Sequence, residues 1–115
     1  MNSAPTHEIV ETAAFTARLD KIGVSQAERD AIYDAYAGNP SMGAVVKHTG
    51  GLRKGRIAKD NTGKSGGYRV FSFFAEQRSP VFLLWIIDKT DDENLTDEQA
   101  QVFRKLIATL KEGLK

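Results

Sequence analysis

The chain has 115 residues, enough for one domain with a single core, and its 41% apolar and 27% charged content is that of an ordinary globular protein. It contains no cysteine, which excludes disulfides and thiolate metal sites; with only His7 and His48, a metal site would need mostly carboxylates, and no spacing of acids suggests one. The formal net charge of +1 conceals a segregation of charge. From Lys47 to Arg69 the bases are Lys47, Arg53, Lys54, Arg56, Lys59, Lys64 and Arg69, with Asp60 the only acid. From Asp88 to Glu98 the order reverses: Asp88, Asp91, Asp92, Glu93, Asp97 and Glu98 stand against Lys89 alone. One basic block in a near-neutral chain points to local capture of an anion, not to a generally sticky polycation.

Residues 1–7 are polar and aperiodic and are expected to fray. Nothing there has the basic start and apolar run of a secretory signal, and the longest apolar run, Val81 to Ile87, is about a third of a membrane span. A cytoplasmic protein with no membrane contact is the expectation. Glu8 to Glu11, carrying Ile9 and Val10, fits a short strand. Phe15, Leu19 and Ile22 fall at i, i+4 and i+7, the stripe of a short helix that Gly23 stops. Ser25 and Glu28 form a capping box, which opens a second helix running to about Ala37 and burying Ala31, Ile32, Ala35 and Tyr36; Gly38-Asn39-Pro40 ends it.

After Pro40 the apolar period changes from about 3.6 to 2. Val45–Val46, Leu52–Ala58, Tyr68–Ala75 and Val81–Ile87 read as strands rich in β-branched and aromatic residues, separated by turn-prone segments. The short spacings favour antiparallel neighbours, because a parallel pair needs a long crossover. Thr96 and Gln99 make a second capping box for a helix with Val102, Phe103, Leu106, Ile107 and Leu110 on one face and Gly113 as its stop. The chain therefore reads as one α+β domain over residues 1–115: a short N-terminal strand and two helices, an antiparallel twisted sheet of three to four strands, and a C-terminal helix.

Gly63-Lys64-Ser65, with Ala58 in place of the first glycine, matches a relaxed nucleotide-binding P-loop pattern. Such a loop needs a buried parallel strand before it and a helix after it, whose first amides cradle phosphate. The upstream Leu52-Arg53-Lys54-Gly55-Arg56-Ile57 is too charged to be buried on both faces, and the downstream Tyr68-Arg69-Val70-Phe71 is strand material. No nucleotide cofactor is expected. The segment joins two antiparallel strands, each carrying basic residues. Alternation without a bulge at Gly55 would put Lys54 and Arg56 on one face, and Arg53, Ile57 and Lys59 on the other. A solvated sheet face, or pairing with the acids after Asp88, is the plain explanation of these bases. Their density, the lack of interleaved acids and the adjoining glycine-rich loop favour phosphate binding instead.

Gly51-Leu52-Arg53-Lys54, Gly63-Lys64-Ser65-Gly66-Gly67-Tyr68-Arg69-Val70 and Leu83-Leu84-Trp85-Ile86-Ile87-Asp88-Lys89, followed by the last helix, resemble the RelE/HigB-like toxins of bacterial type II toxin–antitoxin pairs, in the RelE/ParE superfamily. The resemblance runs from about Ala44 to Leu114. It implies a ribosome-dependent, metal-independent mRNA endoribonuclease without cofactors, whose partners are a cognate antitoxin of helix-turn-helix type, the ribosome and mRNA. It further implies catalytic roles for Arg69, Lys54, Lys59 and Lys89: Arg69 stabilising the pentavalent phosphate, Lys54 or Lys59 as base, Lys89 assisting the leaving group. Arg53, Arg56, Lys64 and Lys47 would hold RNA phosphates, and His48 is an acid/base candidate beside the basic strand. The aromatic that would stack on an RNA base from the C-terminal segment is missing, since no tyrosine or histidine follows Lys89. Tyr68 is expected to pack in the sheet and Trp85 in the core. The same superfamily includes gyrase-poisoning toxins without phosphate chemistry, and a plain nucleic-acid-binding domain is the third reading.

Overall fold

Tyr68–Phe73 and Val81–Asp88 are apolar at nearly every position, a pattern that requires cover on both faces, and these two segments form the middle of a sheet. The computed structural model describes residues 7–59, 67–88 and 95–114. In chain order it contains β1 (Ile9–Glu11), α1 (Ala13–Ile22), α2 (Gln26–Gly38), β2 (Ala44–Val45), β3 (Arg53–Ile57), β4 (Tyr68–Phe73), β5 (Val81–Asp88) and α3 (Asp97–Gly113). The strand order is β1-β5-β4-β3-β2, antiparallel throughout except that β1 runs parallel to β5. That one parallel pair is permitted because α1, α2 and the following strands supply the long crossover.

Local chemistry sets the helix boundaries. Thr12 caps α1, accepting from the Phe15 amide at 3.3 Å while its hydroxyl donates to the Leu83 carbonyl at 3.0 Å, so one residue starts the helix and ties it to β5. Gly23, at φ 75°, ends α1 in the left-handed region. Both expected capping boxes are formed, at Ser25/Glu28 and at Thr96/Gln99.

The sheet separates two apolar clusters. Phe15 and Leu19 of α1 and Ile32 and Tyr36 of α2 pack against Tyr68, Val70, Leu83 and Ile86 on one face. Phe103 and Ile107 of α3 pack against Leu52, Phe71, Phe73, Leu84 and Ile87 on the other. Each such side chain removed from water contributes roughly 1.5–3 kcal/mol, and this burial holds the three layers together. Three positions depart from the sequence reading. Ala31 is exposed, on the outer side of α2, and Val102 is 61% exposed, because the apolar stripe of α3 is narrower than its sequence suggests. Trp85 is half-buried, not core, for a reason that lies in β5. Phe71 stands opposite Trp85 but Ser72 opposite Leu83, so Leu84 is an extra residue in β5. The bulge turns Leu84 and Trp85 to the same side, toward α3, and leaves the larger ring at the rim beside Phe103. Among the described residues no helix is long and apolar enough to cross a membrane.

Candidate nucleic-acid interface

The basic strands lie as alternation requires. β3 pairs with β4 in unbroken register, Arg53 opposite Ser72 through Ile57 opposite Tyr68, so Gly55 makes no bulge. Its role is spatial: a Cβ there would stand 2.7 Å from the Tyr36 hydroxyl oxygen, and glycine leaves room for the α2 tyrosine. With the register fixed, Lys54 and Arg56 share the α3 face of the sheet with Arg69 and Phe71.

Arg56 and Arg69 are directly opposed across the two strands. Side chains so placed have Cβ atoms about 4.5–5.5 Å apart, and like charges in that relation destabilise a sheet. Among the described residues neither guanidinium has an ion pair or hydrogen bond to a carboxylate, and Arg69 Nε is buried without an acceptor. Lys54 follows on the same face, beside a cleft of about 340 Å³ lined by Val46, Lys47, Lys54 and Phe71 and by the first turn of α3, Thr96, Asp97 and Ala100 with Leu95. The face thus presents three basic side chains in a row and a fourth, Lys47, across an apolar-floored cleft.

The bulge at Leu84 keeps one carboxylate, that of Asp88, off this face. Because β5 has gained one residue, Asp88 falls opposite Tyr68 and points with it to the α1/α2 side. One residue fewer would have turned Asp88 to the α3 side, the face of Arg69. On its actual side Asp88 accepts from Lys59 Nζ at 2.7 Å, and Lys59 also lies 5.5 Å from the centre of the Tyr68 ring. Lys59 is therefore separated from Lys54, Arg56 and Arg69 by the thickness of the sheet. Arg53 is on that far side as well, donating through Nη1 to the Gly43 carbonyl at 3.1 Å. His48 is exposed at φ 65° in the turn after β2 and does not line the cleft. Lys64 and Lys89 lie outside the described residues. Among the described residues no three potential metal ligands come together.

Tyr68 is buried, as expected, and its hydroxyl donates to Glu28 Oε1 at 2.9 Å, so it is not a base-stacking platform. Glu28 at the same time accepts from the Ser25 amide at 2.9 Å, making the capping box of α2 a contact to β4. Two features were missed in the sequence. The cleft brings Val46, Phe71 and the Leu95–Ala100 start of α3 together from three separate segments; the capping box at Thr96 marked where the helix starts but not where that start would lie. Arg18 closes the exposed edge of β5, donating from Nε to the Ile86 carbonyl at 3.1 Å with its guanidinium 4.7 Å from the Trp85 ring centre, and no local pattern announces it.

Comparison with known families gives a match over most of the chain. The family described as the RelE toxin of the RelE/RelB toxin–antitoxin system matches residues 15–114, from the first turn of α1 to the end of α3. The α+β architecture, with its N-terminal strand and helices, central sheet and C-terminal helix, is that of a RelE-like fold. The chain belongs to the RelE toxin family, the toxin half of a toxin–antitoxin pair with a cognate antitoxin as its partner.

Proposed function

We propose that this toxin is a ribosome-dependent endoribonuclease that cuts mRNA through the basic side chains on the α3 face of its sheet. The observation that carries the reading is the opposed pair Arg56 and Arg69, which has no carboxylate partner among the described residues. An arrangement that costs stability and sits beside a cleft is understandable as the site of an anion. Membership of a family of mRNA-cleaving toxins supports RNA phosphate as that anion.

Cleavage requires removal of the ribose 2′-hydroxyl proton, stabilisation of charge on the phosphorus during in-line attack, and protonation of the departing 5′-oxygen. Arg69 serves the second need: its charge is permanent, its planar fork matches two phosphate oxygens, and its Nε is already desolvated. Arg56 grips the adjacent phosphate. Lys54, next on the same strand face, takes the 2′-hydroxyl proton, and Lys47 continues the basic track across the cleft. Lys59 has no chemical step, since it is bonded to Asp88 on the opposite face. Lys89, the candidate for the leaving group, lies outside the described residues.

The test is a translated reporter mRNA incubated with ribosomes and purified toxin. Arg69→Ala and Lys54→Ala should each lower the cleavage rate by about 10²- to 10³-fold. Intact mRNA with wild-type toxin, in cells that arrest with broken DNA, would instead establish gyrase poisoning.

A further inference from the structure

Lys59 and Asp88 leave the sheet from β3 and β5, the two strands that flank β4, and their ion pair spans the first residue of β4. Lys59 Nζ is 2.7 Å from Asp88 Oδ2, and the two side chains are only 22% and 8% exposed. Beneath the bridge lies the Tyr68 ring, 5.5 Å from the ammonium, with its hydroxyl held by buried Glu28 at 2.9 Å. Tyr68 is thus fixed by β3, β5 and α2 together. The next residue in β4 is Arg69, whose side chain alternation sends to the other face, opposite Arg56. Repulsion between the two guanidinium groups opposes the pairing at this end of β3 and β4, which nevertheless continues to Ile57 opposite Tyr68, and the Lys59–Asp88 bond is an attractive contact at the same end of the sheet, on its reverse side.

From this geometry we infer that Lys59 and Asp88 form a clasp that positions Arg69 through Tyr68, making Lys59 a positioning residue for the cleavage reaction and not its base. The inference rests on the endoribonuclease reading for its effect on rate, but the clasp itself is a statement about Arg69. Displacement of a catalytic group by about 1 Å costs on the order of 10²-fold in rate, so loss of Lys59 imitates loss of a catalytic residue.

The experiment compares Lys59→Met, Lys59→Arg, Asp88→Asn and the double variant Lys59→Met/Asp88→Asn in the full-length toxin. Lys59→Met and Asp88→Asn should each lower the maximal cleavage rate about 10- to 100-fold with substrate affinity unchanged, and the double variant should be no worse than either single one. Lys59→Arg keeps the bridge and should cleave within a few-fold of wild type, whereas a guanidinium in place of a general base would be inactive at neutral pH. In parallel, ¹⁵N spectra follow the Arg69 Nε–H, with the Arg29 Nε–H, bonded to Glu11 at 3.0 Å, as an internal control for folding. The Arg69 signal should move in Lys59→Met and Asp88→Asn, stay in place in Lys59→Arg, and the Arg29 signal should not respond. An unmoved Arg69 signal in Lys59→Met, or a Lys59→Arg variant as inactive as Lys59→Met, overturns the clasp while leaving the enzyme reading intact. A wild-type toxin that leaves mRNA whole, with the Arg69 signal still displaced by Lys59→Met alone, defeats the enzyme reading and upholds the clasp.

Discussion

The two faces of the sheet treat charge in opposite ways. On the α1/α2 side the buried carboxylates are matched. Glu11 accepts from Thr16 and Tyr33 at 2.6 Å and from Arg29 at 2.8 Å, Glu28 accepts from Tyr68, and Asp88 pairs with Lys59. These contacts bind β1, α1, α2 and the strand ends to one another. On the α3 side Arg56 faces Arg69, with Lys54 next in line, and among the described residues no carboxylate is bonded to either arginine. Matched charges on one face hold the fold, and on the proposed reading the opposed like charges on the other are kept for the phosphate they bind.

The strongest way to break that contrast is to complete a pair on the basic face. Arg56→Glu places a carboxylate opposite Arg69 and converts repulsion into attraction. It should raise stability by about 0.2–1 kcal/mol in a urea titration. It should also lower mRNA cleavage by at least about 10²-fold, because the new carboxylate neutralises Arg69 and repels phosphate. A variant that gains stability and keeps full activity would show that the opposed arginines are not the site.

The converse change removes a matched charge from the other face. Burial alone would raise the pKa of Glu11, but hydrogen bonds from Thr16, Tyr33 and Arg29 outweigh it and hold the carboxyl below its ordinary value. Glu11→Gln puts an amide donor among donors, with the Glu11 side chain only 7% exposed but Arg29 35% exposed, so the cost should be about 2 kcal/mol, below that of a fully buried pair. The sign with pH follows from a depressed folded pKa. The contribution is complete above the unfolded carboxyl value of about 4.3 and is lost as pH falls through the folded one. Urea midpoints of wild type and Glu11→Gln should therefore differ at pH 7 and converge below about pH 4, with cleavage at neutral pH little affected.

Much of this contrast was legible in the sequence. The basic block, the two capping boxes and the period change after Pro40 gave element types and order, and alternation separated Lys54 and Arg56 from Arg53 and Lys59. The extra residue at Leu84 was not legible, because an unbroken apolar run such as Val81–Ile87 carries no period that a bulge could interrupt. The direction of Asp88, the partner of Lys59 and the half-exposure of Trp85 all follow from that one residue. The parallel docking of β1 and the cleft at α3 were likewise set by contacts between distant segments, which no local pattern encodes.

The smallest expected effect concerns two hydroxyls on the matched face that are not matched, those of Tyr36 and Ser72. The Tyr36 hydroxyl is buried, lies against Ser72 without a hydrogen bond of good geometry, and has its pKa pushed up to about 12 by burial. It is also the atom that forbids a side chain at Gly55. Among the described residues no strand pairs with the outer edge of β3 beyond Arg53 and Lys54, so the strand can shift slightly to admit a methyl group. Gly55→Ala should then cost about 1 kcal/mol, the low end for overpacking. Tyr36→Phe removes an unsatisfied buried hydroxyl and should be neutral or stabilise by up to about 1 kcal/mol. Combined, the two changes should be less costly than Gly55→Ala alone, because the atom that clashes is gone. Urea titrations of the two single variants and the double measure this coupling directly. Strict additivity would mean that Gly55 serves the backbone of β3 and not the tyrosine beneath it.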